Sequence, residues 1–133
     1  MKKDKTIRDL VHQMREELRE IYPEREIHSL ITIILTRYSH LQKPHHLHIY
    51  QNQPADPEHI RKIKDITKQL KSRKPIQQII GETEFYDLTL KISPAALIPR
   101  QETEKLVDWI LHDKKAASTT VLDIGTGSGC IAI

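Results

Sequence analysis

The sequence from residue 121 to residue 133 reads VLDIGTGSGCIAI, and it decides which fold the second half of the chain is expected to form. Apolar residues lead to Asp123, three glycines follow at alternate positions, and apolar residues then resume in a pattern that can open a helix. We therefore predict a strand, a glycine turn and a helix start. Glycine adopts positive φ, and without a Cβ it lets the backbone approach a ligand closely. Because α/β sheets place ligands at the carboxyl ends of their strands, near helix-start amides, this turn is predicted to bind a cofactor.

The composition narrows the class of protein. The chain has 133 residues, which is enough for one domain or for a small domain and part of another. It contains no apolar run of the roughly 18 residues that a membrane helix needs, and its single cysteine excludes an intrachain disulfide. We therefore expect a cytoplasmic protein with no membrane partner.

Charge is distributed unevenly along the chain. The first 75 residues hold 16 Lys and Arg against 10 Asp and Glu, whereas the remaining residues hold 5 against 8. The basic part is compatible with an acidic partner or with a ribonucleoprotein neighbourhood. Since its basic and acidic residues are interleaved, charge alone favours simple solvation of helix faces, and no direct contact with nucleic acid is expected.

Three amphipathic helices are predicted in residues 1–74. The first begins after Thr6, whose spacing to Asp9 resembles a capping box, and the second covers about residues 23–38. The third begins at Asp56-Pro57, with Asp56 as the N-cap. Apolar residues recur at three- and four-residue spacing in each, so we predict a helical bundle. The predicted inward residues are Ile7, Leu10, Val11, Met14, Leu18 and Ile21 in the first helix, Ile27, Leu30, Ile31, Ile34, Leu35 and Tyr38 in the second, and Ile60, Ile63, Ile66, Thr67 and Leu70 in the third.

Four histidines lie close together between the second and third predicted helices. They are His40, His45, His46 and His48. Histidine is a common metal ligand, but no cysteine or carboxylate accompanies these four at ligand spacing. We therefore predict exposed histidines and no metal site.

From residue 75 the pattern changes from helical to mixed. The segment from Glu84 to Ile92 alternates apolar and polar residues around Asp87, which predicts a small hairpin. A helix is predicted from Glu102 to about His112. Its expected inward residues are Leu106, Val107, Ile110 and Leu111. Residues 75–133 are thus predicted to hold a hairpin linker and the beginning of an α/β domain.

The glycine turn itself resembles a known cofactor motif. It lacks the two-residue gap before the last glycine that a dinucleotide fingerprint has, and it lacks the lysine of a phosphate loop. Alternate glycines after an acidic strand end resemble the first motif of class I methyltransferases, which use S-adenosylmethionine. From this motif alone, a glycine-rich turn without a ligand remains an alternative.

A second motif makes the resemblance more specific. The residues LIPRQETE, from Leu97 to Glu104, follow Gly81 and Phe85 and precede the glycine turn by about twenty residues. Together they closely resemble the protein-(glutamine-N5) methyltransferases, which methylate the glutamine of the Gly-Gly-Gln motif in class I peptide-chain release factors. The resemblance covers residues 75–133, and it extends in kind to the helical bundle, which in this family helps to recognise the release factor. One departure is Gln101, which stands where the family has proline.

The resemblance implies a set of site residues and a Rossmann-like fold for the second domain. The residues matched to the cofactor loop are Gly125, Thr126, Gly127, Ser128 and Gly129. Asp123 would brace this loop or accept a hydrogen bond from the cofactor ammonium. Phe85 and Arg100 match positions near the cofactor or the interdomain cleft, although a core aromatic and a salt-bridged arginine are equally good interpretations. Glu102 and Glu104 are interpreted as charges that favour the start of their own helix.

The residues that perform the chemistry in this family are not among these 133. The Asn-Pro-Pro-Tyr motif that holds the substrate amide is absent from the sequence, so no catalytic residue is predicted and the chain alone is expected to show no turnover. A methyltransferase for a ribosomal-protein glutamine shares these motifs and is the nearest alternative. A helical module that only binds protein is the second, and a nucleic-acid methyltransferase is a weaker third.

Overall fold

The computed structural model describes residues 5–38, 51–113 and 120–133. The chain divides between Ile76 and Gln77 into two compact units, here the N-terminal and C-terminal units, whereas the sequence predicts a boundary after residue 74. The described helices are α1 (Ile7–Leu18), α2 (Glu24–Tyr38), α3 (Pro57–Lys71), α4 (Ile76–Ile80) and α5 (Gln101–His112), and the strands are β1 (Glu82–Phe85) and β2 (Leu88–Lys91). The four clustered histidines lie outside the described residues.

The starts of α1 and α3 are fixed by side chains that cap their first amides. The amide of Asp9 donates to the hydroxyl of Thr6 over 3.2 Å, and the amide of Thr6 donates to the carboxylate of Asp9 over 2.9 Å. This is the predicted capping box. At α3 the carboxylate of Asp56 accepts a hydrogen bond from the amide of Glu58 over 2.8 Å, and a proline fills the first helical position. Both helices therefore begin where the sequence places them.

The apolar faces of α1, α2 and α3 form the core of the N-terminal unit. α2 contributes five buried residues, against four in α1 and four in α3. The buried apolar residues of the three helices are Ile7, Leu10, Met14, Leu18, Ile27, Leu30, Ile31, Ile34, Leu35, Ile63, Ile66 and Leu70. Thr67 is also buried, and its hydroxyl donates to the carbonyl of Ile63 over 2.8 Å, so this polar group is satisfied within its own helix. The predicted helical bundle is thus observed.

Backbone hydrogen bonds tie the segments before α1 and α3 together. The amides of Ile7 and Arg8 donate to the carbonyls of Gln53 and Gln51 over 3.2 and 2.9 Å, and the amide of Ala55 donates to the carbonyl of Lys5 over 2.8 Å. These bonds occupy two amides of the first turn of α1, which have no partner inside the helix. They fix the start of α1 beside the chain that enters α3.

The predicted hairpin forms with a two-residue turn. β1 and β2 pair antiparallel, with Phe85 opposite Leu88, and Tyr86 and Asp87 form the turn with φ of 49° and 60°. Positive φ at both central residues is the arrangement whose twist matches that of the two strands. It favours Asn and Gly, so a tyrosine in this conformation is unusual.

Helix α5 extends over the predicted range, but its predicted inward face is only partly covered. Val107 and Ile110 are half-buried, whereas Leu106 and Leu111 are exposed, and no residue of the helix is fully buried. The expectation that all four point into a core is therefore wrong for the latter two. The described part of the C-terminal unit supplies one hairpin and no further layer against which a second side of the helix would pack.

The predicted strand before the glycine turn is absent in the described residues. Val121, Leu122 and Asp123 have no strand partner, and the side chain of Leu122 is 81% exposed. A parallel strand is stable only beside neighbours that satisfy its backbone groups. The described residues provide no such neighbour, which explains why an apolar run of the right length remains extended and unpaired.

The described helices contain no segment that is long enough and apolar enough to span a membrane. The longest of them, α2 and α3, have 15 residues each. The sequence-based expectation of no membrane partner rests likewise on the lack of a long apolar run, and it remains a prediction.

Candidate functional site

The glycine loop, residues 123–129, adopts a conformation that needs its glycines. Gly125, Gly127 and Gly129 have φ of 74°, 56° and 78°. This region is costly for any residue with a Cβ. A Cβ built at Gly125 or Gly129 would meet no atom within 4 Å, so crowding inside the chain is not the reason for glycine there. The requirement is conformational, and the space beside both residues is open.

The loop is held by hydrogen bonds among its own residues. The hydroxyl of Thr126 donates to the carboxylate of Asp123 over 2.8 Å, and the amide of Gly129 donates to the carbonyl of Thr126 over 2.8 Å. Ala132 and Ile133 donate to the carbonyl of Gly129 over 3.1 and 3.3 Å, which forms the single turn that follows the loop. Asp123 thus lies against the loop that the sequence predicts it to brace, while its contact with a cofactor remains a prediction.

The glycine loop offers amides that are free to serve a ligand, and two of them are consecutive. Within the described residues, the amides of Gly127 and Ser128 donate to no acceptor. Successive amides in a turn of positive and negative φ form a concave donor surface that suits a carboxylate or phosphate. The predicted helix after the loop is only a turn here, and Cys130 in it is half-buried and free.

Phe85 and Arg100 occupy opposite environments. Phe85 is the last residue of β1 and is 2% exposed. This burial agrees with the alternative interpretation of Phe85 as a core aromatic. Arg100 is the N-cap residue of α5 with extended backbone, and its side chain is exposed. Within the described residues its guanidinium makes no ion pair, so the interpretation as a salt-bridged arginine is not met there.

The hairpin turn and α5 are joined through Tyr86, which the sequence did not single out. Its amide donates to the carboxylate of Glu104 over 3.0 Å, and its hydroxyl donates to the carboxylate of Asp108 over 2.6 Å. The bond to Asp108 raises the pKa of Tyr86 above its ordinary value of 10.0, and partial burial and the charges of Asp108, Asp87 and Glu104 act in the same direction.

The structure thus brings some predicted site residues together and leaves others apart. The hairpin that carries Phe85 is bonded to the helix that Arg100 caps. The glycine loop is bonded to neither, because within the described residues all hydrogen bonds of 123–133 are internal. The spacing of Glu104 and Asp108, one helical turn apart on α5, is the one sequence signal for the Tyr86 contacts.

No metal centre is found in the part of the chain that the structure describes. No group of three or more His, Cys, Asp or Glu side chains comes close enough there to hold an ion. The cluster formed by the four histidines at positions 40–48 is not part of that comparison, because it lies outside the described residues. The expectation that these histidines bind no metal therefore remains a prediction.

Comparison of the sequence with known proteins identifies relatives of the chain. No family profile matches the chain. The chain is 40% identical to the release factor glutamine methyltransferase of Flavobacterium psychrophilum over 125 residues, which are 91% of the chain and 44% of that protein. It is 51% identical over 71 residues to the enzyme of the same name from Streptococcus pneumoniae, covering 53% of the chain and 25% of that protein. The human MTRF1L release factor glutamine methyltransferase is 34% identical over 89 residues, 61% of the chain and 26% of the human protein.

These relatives are methyltransferases by name, so the chain is similar to that class of protein. More narrowly, the predicted resemblance to the N-terminal portion of the release factor glutamine methyltransferase family is confirmed. The chain spans less than half the length of these relatives, 44% in the case of the Flavobacterium psychrophilum enzyme.

Proposed function

We propose that the chain is part of an S-adenosylmethionine-dependent enzyme that methylates the side-chain amide of the glutamine in the Gly-Gly-Gln motif of class I release factors. The observation that carries the proposal is the combination of the LIPRQETE segment, residues 97–104, with the glycine loop. The names of the relatives, which align with up to 91% of the chain, support the same substrate. A release factor acts in translation, so the proposed location is the cytoplasm.

The glycine loop fits the amino-acid end of the proposed cofactor. That end is a zwitterion, and it needs donors for a carboxylate and an acceptor for an ammonium. The free amides of Gly127 and Ser128 are such donors, and the carboxylate of Asp123, in the same loop, is such an acceptor. The open space beside Gly125 and Gly129 lets a ligand approach the backbone. When bound, the cofactor supplies an electrophilic methyl group on its sulfonium.

We further propose that residues 120–124 form a strand of a parallel, Rossmann-like sheet in the full-length protein. The run is apolar, and Val121, Leu122 and Ile124 are exposed in the described structure. A strand in a parallel sheet is buried on both faces, which such a run suits. The loop would then lie at the carboxyl end of the strand, where α/β sheets bind their ligands.

The acceptor chemistry requires positioning more than activation by a base. An amide nitrogen is a poor nucleophile because its lone pair is delocalised into the carbonyl group. Holding that nitrogen in line with the methyl group is therefore the main task of the enzyme. The family performs it with an Asn-Pro-Pro-Tyr motif, which these 133 residues do not contain. The role of the chain in this scheme is to bind the cofactor and to hold the protein substrate.

The helical bundle is the proposed contact for the release factor. It has a core of its own, formed by the buried faces of α1, α2 and α3. It also lies within the basic first 75 residues, with 16 Lys and Arg against 10 Asp and Glu. Such a surface favours an acidic protein partner through long-range attraction.

The proposal is tested by mass spectrometry of a release factor incubated with the full-length protein and S-adenosylmethionine. We expect the Gly-Gly-Gln peptide to gain one methyl group on glutamine. An unmodified peptide at full cofactor occupancy would refute the proposal. A substrate panel that includes a ribosomal protein distinguishes the nearest alternative, because methylation of that protein alone would assign the other acceptor.

The cofactor loop is tested with two glycine variants in the same full-length protein. Gly127→Ala places a Cβ at φ 56° in the proposed loop, and we expect the KM for S-adenosylmethionine to rise about ten-fold or more. Gly81→Ala is the matched control, because Gly81 also has a positive φ, of 80°, a Cβ there would meet no atom within 4 Å, and the residue follows α4, outside the loop. An equal rise in both variants would indicate general destabilisation and would remove Gly127 from the cofactor site.

A further inference from the structure

The turn of the hairpin is attached to α5 at two points. The amide of Tyr86 donates to Glu104 over 3.0 Å in a partly buried bond, and the hydroxyl of Tyr86 donates to Asp108 over 2.6 Å. One bond uses the backbone of the turn, and the other uses its side chain. The backbone bond does not depend on the side chain at position 86, since any residue except proline would offer the same amide.

The turn needs such an attachment because its conformation is unfavourable by itself. Tyr86 and Asp87 both lie in the left-handed region, with φ of 49° and 60°, and neither is a glycine. Strained backbone of this kind persists where surrounding contacts hold it in place. The carboxylate of Glu104 provides a charge-assisted acceptor, which binds an amide more strongly than a neutral group does.

The attachment also joins the two segments that carry Phe85 and Arg100. Phe85 is the residue before the turn and is buried, whereas Arg100 caps α5 one helical turn before Glu104. Tyr86 and Glu104 are 18 positions apart in the sequence, so their relative placement is not set by local sequence. The bond from Tyr86 to Glu104 sets it instead.

We infer that Glu104 is a positioning residue: its carboxylate holds the hairpin turn on the first turn of α5 and so places Phe85 relative to Arg100. The inference rests on the proposed function only for the purpose of that placement, which is to hold Arg100 toward the cofactor while Phe85 stays in the core. The hydroxyl bond to Asp108 supports the same attachment from the side chain.

A purely electrostatic role for Glu104 is the competing explanation. Glu102 and Glu104 both lie in the first turn of α5, where negative charge stabilises a helix. Glu102 is exposed, and within the described residues it makes no hydrogen bond or ion pair. It therefore provides a matched control, because Glu102→Ala removes the same charge from the same turn without removing a contact.

The first test uses amide hydrogen exchange by NMR in the 133-residue chain. We expect the Tyr86 amide to exchange about ten-fold faster in Glu104→Ala than in the unmodified chain, since its acceptor is lost. Glu104→Gln keeps a carbonyl oxygen as acceptor and should restore most of the protection. Unchanged exchange in Glu104→Ala, or an equal acceleration in Glu102→Ala, would overturn the inference.

The second test measures steady-state kinetics in the full-length protein. Glu104→Ala should raise the KM for S-adenosylmethionine about ten-fold, and Glu104→Gln should return it toward the unmodified value. A lower Tm with an unchanged KM would reduce Glu104 to a structural residue and overturn its positioning role. If the unmodified protein methylates no release factor, the proposed function fails, while the exchange experiment still decides whether Glu104 holds the turn.

Discussion

The two units of the chain treat their apolar residues in opposite ways. In the N-terminal unit most large apolar residues of three helices are buried; Val11 and Ile60, which the sequence predicts to point inward, are half-buried, and Ile33 is the one exposed example among those described. In the C-terminal unit, within the described residues, Phe85 alone is buried. The exposed large apolar residues there are Leu88, Leu97, Leu106, Trp109, Leu111, Val121, Leu122, Ile124 and Ile133.

This difference shows that an apolar helix face and the partner that buries it are separate requirements. An apolar stripe on a helix shows that the face is suited to burial, but it does not show what covers it. In the N-terminal unit α1, α2 and α3 cover one another. The described residues of the C-terminal unit form a two-stranded sheet and one longer helix, which is less than two complete layers. We expect the proposed parallel sheet of the full-length protein to supply the missing cover.

The largest expected effect comes from removing a side chain from the helical core. Leu18 is 0% exposed, and Leu18→Ala should lower the free energy of unfolding by about 3 kcal/mol, through lost burial and the cavity that remains. The matched control is Leu97→Ala, because Leu97 is 74% exposed and the same atoms are removed. Its expected effect is below about 0.5 kcal/mol.

Urea unfolding followed by helical circular dichroism measures both variants. A large effect at Leu97 comparable to that at Leu18 would mean that the C-terminal unit has a core of its own. It would also remove the contrast between the two units.

A smaller effect is expected at the start of α1. Thr6→Ala removes the hydroxyl that accepts from the amide of Asp9, and we expect a loss of about 1 kcal/mol in the free energy of unfolding. Thr32→Ala serves as the control, since the Thr32 hydroxyl bonds to the carbonyl of His28 inside α2 and alanine is the better helix former. That variant should be neutral or slightly stabilising. Equal losses in both would contradict a capping role for Thr6.

The attachment of the hairpin to α5 predicts a pH dependence that comes from Tyr86. The pKa of Tyr86 is raised, so the folded structure favours the protonated phenol. The stabilisation is fully present below the ordinary pKa of 10.0 and is lost as the pH rises through the higher folded value. NMR titration of the Tyr86 ring should show this raised pKa, and Asp108→Asn should lower it. A Tyr86 pKa that Asp108→Asn leaves unchanged would show that the bond to Asp108 is not its cause.

Local pattern was sufficient for the N-terminal unit. Caps at Thr6 and Asp56 mark the starts of α1 and α3, and apolar residues at helical spacing identify the buried faces. These features depend on residues within a few positions of one another, and the partners that bury each face are also helices with clear patterns. The hairpin around Asp87 could be predicted for the same reason.

Local pattern was insufficient where distant residues decide. The bond from Tyr86 to Glu104 joins residues that are 18 positions apart, and no periodic pattern in the sequence predicts that these two residues meet. The predicted strand before Gly125 has the right composition, but a parallel strand depends on neighbours that the described residues do not provide. The exposed sides of α5 have the same origin. Sequence patterns indicate what each segment is suited to, and tertiary partners determine whether it forms.

The smallest effect on stability is expected at Trp109, which nevertheless gives the most direct test of the contrast between the units. It is the only tryptophan in the chain and is 71% exposed on α5. Trp109→Gln should change the free energy of unfolding by less than about 0.5 kcal/mol, because most of the Trp109 side chain is exposed and little buried apolar area is lost. In the 133-residue chain its fluorescence should match that of a tryptophan derivative in water, with equal quenching by acrylamide.

The full-length protein should give the opposite result for the same residue. If the proposed sheet packs against α5, Trp109 becomes shielded, its emission shifts to shorter wavelength and acrylamide quenches it less. Shielding in the 133-residue chain itself would show that α5 is already covered there, which would contradict the described exposure. Full exposure in both proteins would instead mean that the sheet packs on another side of the helix, so that Val107 and Ile110 alone form the contact face.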